Sequence, residues 1–68
     1  MPLRNMIIRK RNKKFTVLVR EEAEGGYSGQ CIELPAAISQ GDTLEELKEN
    51  MVDAISLVLE HIESKIMN

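Results

Sequence analysis

Alternation of apolar and polar residues predicts a β-strand over residues 15–20. Phe15, Val17 and Val19 point to one face of this strand, and Leu18 points to the other with its polar neighbours. Aromatic and β-branched residues of this kind are frequent in strands that are buried on one side. The pattern therefore predicts that the strand packs one face against a hydrophobic core.

Two further strands are predicted after it, and the segment before residue 15 allows two interpretations. Gly25 and Gly26 can adopt the positive φ angles of a hairpin turn, so residues 27–33 are expected to return antiparallel. Residues 36–40 form a short third strand. Residues 1–14 are either a basic N-terminal arm or an additional strand.

The second half of the chain predicts one long amphipathic helix. Thr43 is a favourable N-cap, and Glu46 three residues later completes a capping box. Leu57 falls outside the apolar stripe, among the charged residues of the opposite face. Residues of the stripe recur at spacings of three and four: Leu44, Leu47, Met51, Ile55, Val58 and Ile62.

These elements predict an α+β fold: a three-stranded antiparallel sheet, with an N-terminal strand as a possible addition, and one long helix on one face. One helix covers only one face of a sheet, so the face that carries Leu18 and Ile32 needs another cover. We expect a homo-oligomer, most simply a dimer, with Leu57 at a contact surface.

Length and composition fit one small globular domain. The chain has 68 residues, of which 43% are hydrophobic and 29% are charged. Cys31 is the single cysteine, which excludes an internal disulfide and is typical of a reducing compartment. The sequence shows no secretory signal and no apolar run long enough to span a membrane, so we expect a cytoplasmic protein.

Charge is distributed unevenly along the chain. The first 20 residues carry a net charge of +7, and the remaining residues carry −9. A basic segment can bind nucleic acid or an acidic partner, and an acidic body suits a basic partner. The candidate residues of the basic segment are Arg9, Lys10, Arg11, Lys13 and Lys14.

No pattern in the sequence indicates catalysis. Two-metal nuclease chemistry needs several converging carboxylates, whereas the predicted strands offer only Glu33 near a strand end. Cys31 and His61 lack two further ligands for a zinc site, and Gly25-Gly26 lacks the spacing and the lysine of a phosphate-binding loop. We therefore expect no catalytic residues, no metal and no cofactor.

Four motifs resemble the HicB-like antitoxin family. They are F-T-V-L-V from Phe15, G-G-Y from Gly25, C-I-E-L-P from Cys31 and S-Q-G-D-T-L-E-E from Ser39. The chain departs from the usual pattern at Ile32, at Ala36-Ala37 and at Leu47-Lys48, which affects loop geometry and core packing. The resemblance runs from Phe15 to Glu60, which predicts one HicB-like domain over residues 15–66. It implies a fold like a reduced ribonuclease H.

The resemblance also implies a function in protein binding. Members of the family neutralise a partner toxin, a small ribonuclease that cleaves messenger RNA, and full-length members add a C-terminal DNA-binding domain. The chain stops at Asn68, where we expect no room for that domain, so nucleic acid is not an expected partner. Candidate partner-binding residues are Tyr27, Glu33, Leu34 and Leu57.

Two alternatives remain open. The first is an oligomeric domain that acts without a toxin. The second is a nucleic-acid binder that uses the basic N-terminal segment, although the chain offers only Phe15 and Tyr27 as aromatic residues for stacking on bases.

Overall fold

Four antiparallel strands form one sheet in the order β1-β2-β3-β4, and a single helix packs against one of its faces. The computed structural model describes the backbone of residues 3–67 and the side chains of residues 4–64. Within the described backbone, no helix is both long and apolar enough to cross a membrane. The elements are β1 (Leu3–Lys10), β2 (Lys13–Glu21), β3 (Tyr27–Cys31), β4 (Ile38–Gly41) and α1 (Leu44–Met67).

Of the two alternatives left open for the N-terminal segment, residues 3–10 form the additional strand and not a free arm, so the sheet has four strands. Met6 pairs with Val17, and Ile8 pairs with Phe15. The two-residue turn between β1 and β2 is formed by Arg11 (φ 55°) and Asn12 (φ 61°). Positive φ at both central residues is the geometry of a type I′ turn, whose twist matches that of the strands it joins.

The predicted end of β3 and the predicted start of β4 are each wrong by two residues, and the predicted end of β4 is wrong by one. The chain leaves β3 after Cys31 and makes a tight turn, in which the amide of Ala37 donates to the carbonyl of Leu34 at 2.8 Å. This turn takes up two residues that the sequence had placed in the third strand. As a result, β4 begins at Ile38 and extends to Gly41, which pairs with Tyr27.

The core lies between the sheet and α1, as the alternation of β2 and the helix stripe predicted. Ile62, the last residue of the predicted stripe, is 39% exposed. The helix has 24 residues and is about 36 Å long, so its second half extends beyond the strands, which have at most nine residues. The buried core residues are Ile8, Phe15, Val17, Val19, Cys31, Ala37, Leu47, Met51 and Ile55.

The predicted N-cap is present at the start of α1. The Thr43 hydroxyl accepts a hydrogen bond from the Glu46 amide at 3.1 Å. Glu46 returns its carboxylate to the amide of Asp42 at 3.0 Å, one residue before the cap. The two bonds fix the chain where it leaves β4 and enters the helix.

We expect Thr43→Ala to lower the free energy of unfolding by about 1 kcal/mol, because the Glu46 amide loses its acceptor. Urea denaturation, monitored by circular dichroism, measures this change in the free energy of unfolding. An unchanged midpoint would mean that another side chain replaces the hydroxyl, with Asp42 the nearest candidate.

Candidate functional site

The four predicted partner-binding residues do not form one surface. Tyr27 and Leu34 are half-buried and pack against the core. Tyr27 starts β3, whereas Glu33 and Leu34 follow its other end. Leu57 is 66% exposed and lies on α1. The four residues lie in separate regions, so a partner bound to one small patch would not contact all of them.

Glu33 has a structural role at the end of the β2–β3 ladder. Its carboxylate accepts hydrogen bonds from the Thr16 amide at 2.7 Å and the Thr16 hydroxyl at 3.0 Å, while the Cys31 thiol lies 3.6 Å away. The bond from the Thr16 amide is the main reason why the pKa of Glu33 is lowered. Burial raises the pKa of the Cys31 thiol, which keeps it protonated and unreactive at neutral pH.

The Glu33 carboxylate is expected to stabilise the fold in a pH-dependent way. Its folded-state pKa is lowered, so the stabilisation is fully present above the ordinary glutamate pKa of about 4.3 and is lost as pH falls through the folded-state value. We expect Glu33→Gln to lower the urea midpoint at neutral pH, and we expect the difference to shrink in acid. A difference that stays constant down to about pH 2 would show that ionisation of Glu33 plays no part.

The outward face of α1 is an acidic surface with one apolar residue in it. Glu46, Glu49, Asp53 and Glu60 are exposed there, and Leu57 lies among them. At 100° per residue these five side chains fall within a sector of about 80°, and they extend about 21 Å along the helix. We call these five residues the acidic helix face.

The opposite face of the sheet is uncovered by the described part of the chain, as the sequence predicted for Leu18 and Ile32. We call it the open face. Leu18 and Ile38 flank a shallow depression of about 260 Å³ that also contacts Arg20 and Gln30. The large hydrophobic residues exposed on this side are Ile7 (46%), Leu18 (40%), Ile32 (53%) and Ile38 (61%).

A polar groove lies at the end of the sheet where α1 begins. It has a volume of about 400 Å³ and is lined by Tyr27, Asp42, Glu46 and other residues of the β2–β3 loop, β4 and α1. Asn50 donates from its side chain to the carbonyl of Gln40 at 2.7 Å and so holds the helix against β4. The groove places Tyr27 close to acidic residues and apart from Glu33.

The basic residues Arg9, Lys10, Arg11, Lys13 and Lys14 lie on the hairpin of β1 and β2. Arg11 forms a salt bridge with Glu63 and thereby joins the hairpin turn to the second half of α1. Arg9 and Lys14 are paired across the two strands. These cations are therefore part of a folded hairpin.

Among the side chains of residues 4–64, no three His, Cys, Asp or Glu residues are arranged to hold a metal ion. Cys31 is buried within the core. His61 is exposed on α1, and Glu33 is bonded to Thr16. The two candidate interaction surfaces are the acidic helix face and the open face.

Comparison with known proteins identifies relatives in Synechocystis. The chain is 41% identical to the UPF0150 protein ssr1258 over 51 residues, which cover 75% of this chain and 74% of that protein. It is 44% identical to the UPF0150 protein ssr1765 over 48 residues and 38% identical to the UPF0150 protein ssl0738 over 47 residues. These matches span 61% and 65% of the two proteins, which is less than two thirds of their length. No family model and no solved structure matches the chain. The identity to ssr1258 extends over three quarters of both chains, and the chain therefore belongs to the UPF0150 family.

Proposed function

We propose that the chain is a non-catalytic protein-binding module of the HicB-like antitoxin type, which neutralises a small mRNA-cleaving ribonuclease by binding it directly. The motifs that resemble this family lie in the elements that form the core and the helix start, from Phe15 to Glu46. An antiparallel sheet with one helix agrees with the reduced ribonuclease H fold that the resemblance implies.

The acidic helix face is the observation that carries this proposal. Leu57, whose side chain is 66% exposed, lies between the exposed carboxylates of Asp53 and Glu60, and Glu46 and Glu49 continue the acidic helix face towards the start of α1. Lys48 and Arg11, the hairpin residue that is salt-bridged to Glu63, lie outside this face. The surface therefore combines one sign of charge with one apolar side chain that is not packed against the core formed by the described residues.

A ribonuclease is the kind of partner that suits such a surface. An RNA-cleaving protein needs positive charge to bind phosphates. Acidic groups on the antitoxin speed its encounter with a basic ribonuclease, and they compete with RNA for the same basic surface of that ribonuclease. Leu57 would supply the apolar anchor that a polar interface needs at its centre, where a few buried residues provide most of the affinity. Binding in this way blocks access of RNA without any catalytic group.

The test is a calorimetric titration with the product of the open reading frame next to the gene for this chain. We expect wild-type binding, and we expect Leu57→Lys to weaken it at least tenfold, since the anchor is lost and a like charge is added. Leu18→Lys is the matched control, because it makes the same change on the open face. Absence of binding by the wild type, or equal affinity for Leu57→Lys, would contradict the proposal.

A further inference from the structure

The outer edge of β1 carries backbone groups that point away from the sheet. β1 is an end strand and pairs only with β2. On β2, the amide of Thr16 donates to the Glu33 carboxylate at 2.7 Å, and its carbonyl accepts from the Ile32 amide at 2.8 Å. Both backbone groups of Thr16 are therefore used on the side of β3. Ile7, which lies opposite Thr16, forms no ladder bond with it, so the amide and carbonyl of Ile7 point outward.

The alternation of an antiparallel ladder extends this orientation along β1. Residues two apart share it, so the amides and carbonyls of Asn5 and Arg9 point outward together with those of Ile7. The register runs from Leu3 to Lys10 without a bulge, one of the devices that keep natural edges from pairing. Within residues 3–67, no further backbone hydrogen bond reaches these groups. We call the outward backbone groups of Asn5, Ile7 and Arg9 the free edge of β1.

The free edge of β1 is accessible. Asn5, Ile7 and Arg9 are all exposed, and Ile7 is 46% exposed. The helix packs mainly against β4 and β3, on the far side of the sheet from β1. An additional strand can therefore lie beside β1 while the acidic helix face stays open to another partner.

The charges of β1 decide which kind of strand can pair with it. β1 contains three cations, Arg4, Arg9 and Lys10, and no carboxylate. Lys13 and Lys14 lie opposite the last two of them on β2 and add to the positive charge. Cations on an edge strand repel a basic strand and attract an acidic one, because charges directly opposite each other in a ladder interact.

A second copy of β1 is a poor match for the same reason. Antiparallel pairing of two copies about Ile7 would set Arg4 of each copy opposite Lys10 of the other. Arg9 would lie opposite Asn5, which offers no charge to neutralise it. Like charges in these positions are destabilising, so the edge calls for a different sequence.

We propose that the free edge of β1 binds an extended acidic segment of another protein, which adds to the sheet as a fifth strand. Main-chain hydrogen bonds give the affinity in this mode of binding, and alternate side chains give the specificity. The binding goes beyond neutralisation of a ribonuclease, because it uses other residues and a partner of the opposite charge.

The register of β1 specifies the ligand. In antiparallel pairing, acidic residues belong opposite Arg4, Arg9 and Lys10, and a β-branched residue belongs opposite Ile7. The two positions that flank this residue lie on the side of α1 and are apolar as well. The probe is therefore the peptide Glu-Asp-Val-Ile-Val-Thr-Glu, capped at both ends, with its first residue opposite Lys10 and its last opposite Arg4.

Calorimetric titration of the chain with this peptide tests the proposal. We expect saturable binding at a 1:1 ratio with a dissociation constant below about 1 mM. N-methylation of the peptide's isoleucine removes the N–H that donates to the carbonyl of Ile7, and should weaken binding at least tenfold. N-methylation of either valine is the matched control, because that N–H points away from β1, and should leave the affinity nearly unchanged. Absence of binding up to about 1 mM, or equal affinity of the differently methylated peptides, overturns the proposal.

Variants of the chain test the same contact from the other side. Ile7→Pro removes the central outward amide and leaves the ladder to β2 intact, so peptide binding should be lost while the urea midpoint stays close to the wild-type value. Ile7→Thr keeps the amide and should still bind. Arg9→Glu should weaken binding several-fold through like charge. If the proline disturbs the fold, the methylated peptides decide, since they leave the protein unchanged.

The assay also separates this proposal from the ribonuclease and from other occupants. Leu57→Lys should bind the peptide as the wild type does, and Ile7→Pro should still bind the ribonuclease, so each proposal fails by its own result. Oligodeoxythymidylate that displaces the peptide and binds more tightly would assign the cations to nucleic acid and overturn the proposal. A chain that ignores the peptide and self-associates in a way that Ile7→Pro abolishes would assign the edge to a second copy and also overturn it.

Discussion

Gly41→Ala is expected to lower the free energy of unfolding by about 3 kcal/mol, which is at the upper end for overpacking a core with one methyl group. A Cβ atom at Gly41 would lie 2.5 Å from the Leu47 amide nitrogen and 2.9 Å from both the carbonyl carbon and the Cβ of Glu46. Backbone atoms of the first helical turn cannot rotate away as a side chain can. Either β4 or the start of α1 must therefore shift, which weakens the capping bonds of Thr43 as well.

Urea denaturation measures this loss, and Gly29→Ala is the control. A Cβ at Gly29 would lie 2.8 Å from Cγ1 of Val17 and 3.4 Å from side-chain atoms of Leu47 and Met51. Because these neighbours are side chains, we expect a smaller loss of about 1–2 kcal/mol. If Gly29→Ala lowered the free energy of unfolding more than Gly41→Ala, the close approach of the start of α1 to β4 would not explain why a glycine is needed at position 41.

Leu47→Ala is expected to destabilise the fold by about 3 kcal/mol, within the usual range of about 2–5 kcal/mol for a buried leucine. Leu47 is fully buried between α1 and the sheet. A domain of this length has a total stability of roughly 3–10 kcal/mol, so the cavity would remove a large part of it.

Leu57→Ala is the matched control for Leu47→Ala, because it makes the same substitution on the same helix. Leu57 is 66% exposed, so its truncation should change the free energy of unfolding by less than about 0.5 kcal/mol. Thermal and urea unfolding of both variants provide the comparison. Equal losses at the two positions would contradict the orientation of α1 on the sheet.

The helix and the central strand could be predicted because each carries a complete local signal. The alternation of Phe15, Val17 and Val19 and the spacing of Leu47 and Met51 placed the core correctly, and all five side chains are buried. The cap at Thr43 depends only on residues close in sequence, so its position could also be predicted.

The edges of the sheet could not be predicted with the same precision, because their structure depends on distant residues. Met6 and Ile8 are the only apolar residues of β1 that face the core and have described side chains, and the strand forms through its pairing with β2. Glu33 lies beyond the end of β3, where its side chain bonds to Thr16, 17 residues away. No periodicity within residues 27–40 contains that information.

The two candidate surfaces also differ in how far they could be predicted from local sequence. The rotation of 100° per residue places Leu57 among Asp53 and Glu60 from the sequence alone. The open face required the strand register, since Ile7 and Ile38 join Leu18 only through the pairing of β1 and β4 with their neighbours. The sequence therefore predicted that one face of the sheet is uncovered, but it placed only Leu18 and Ile32 on that face.

The most direct test of the acidic helix face as the proposed antitoxin surface is an RNA-cleavage assay with the product of the open reading frame next to the gene for this chain, measured while the chain is titrated in. We expect cleavage to stop near a 1:1 ratio with the wild-type chain and with Leu18→Lys, and we expect Leu57→Lys to require at least a tenfold excess. Cleavage that continues unchanged in a large excess of the wild-type chain would contradict the proposed function.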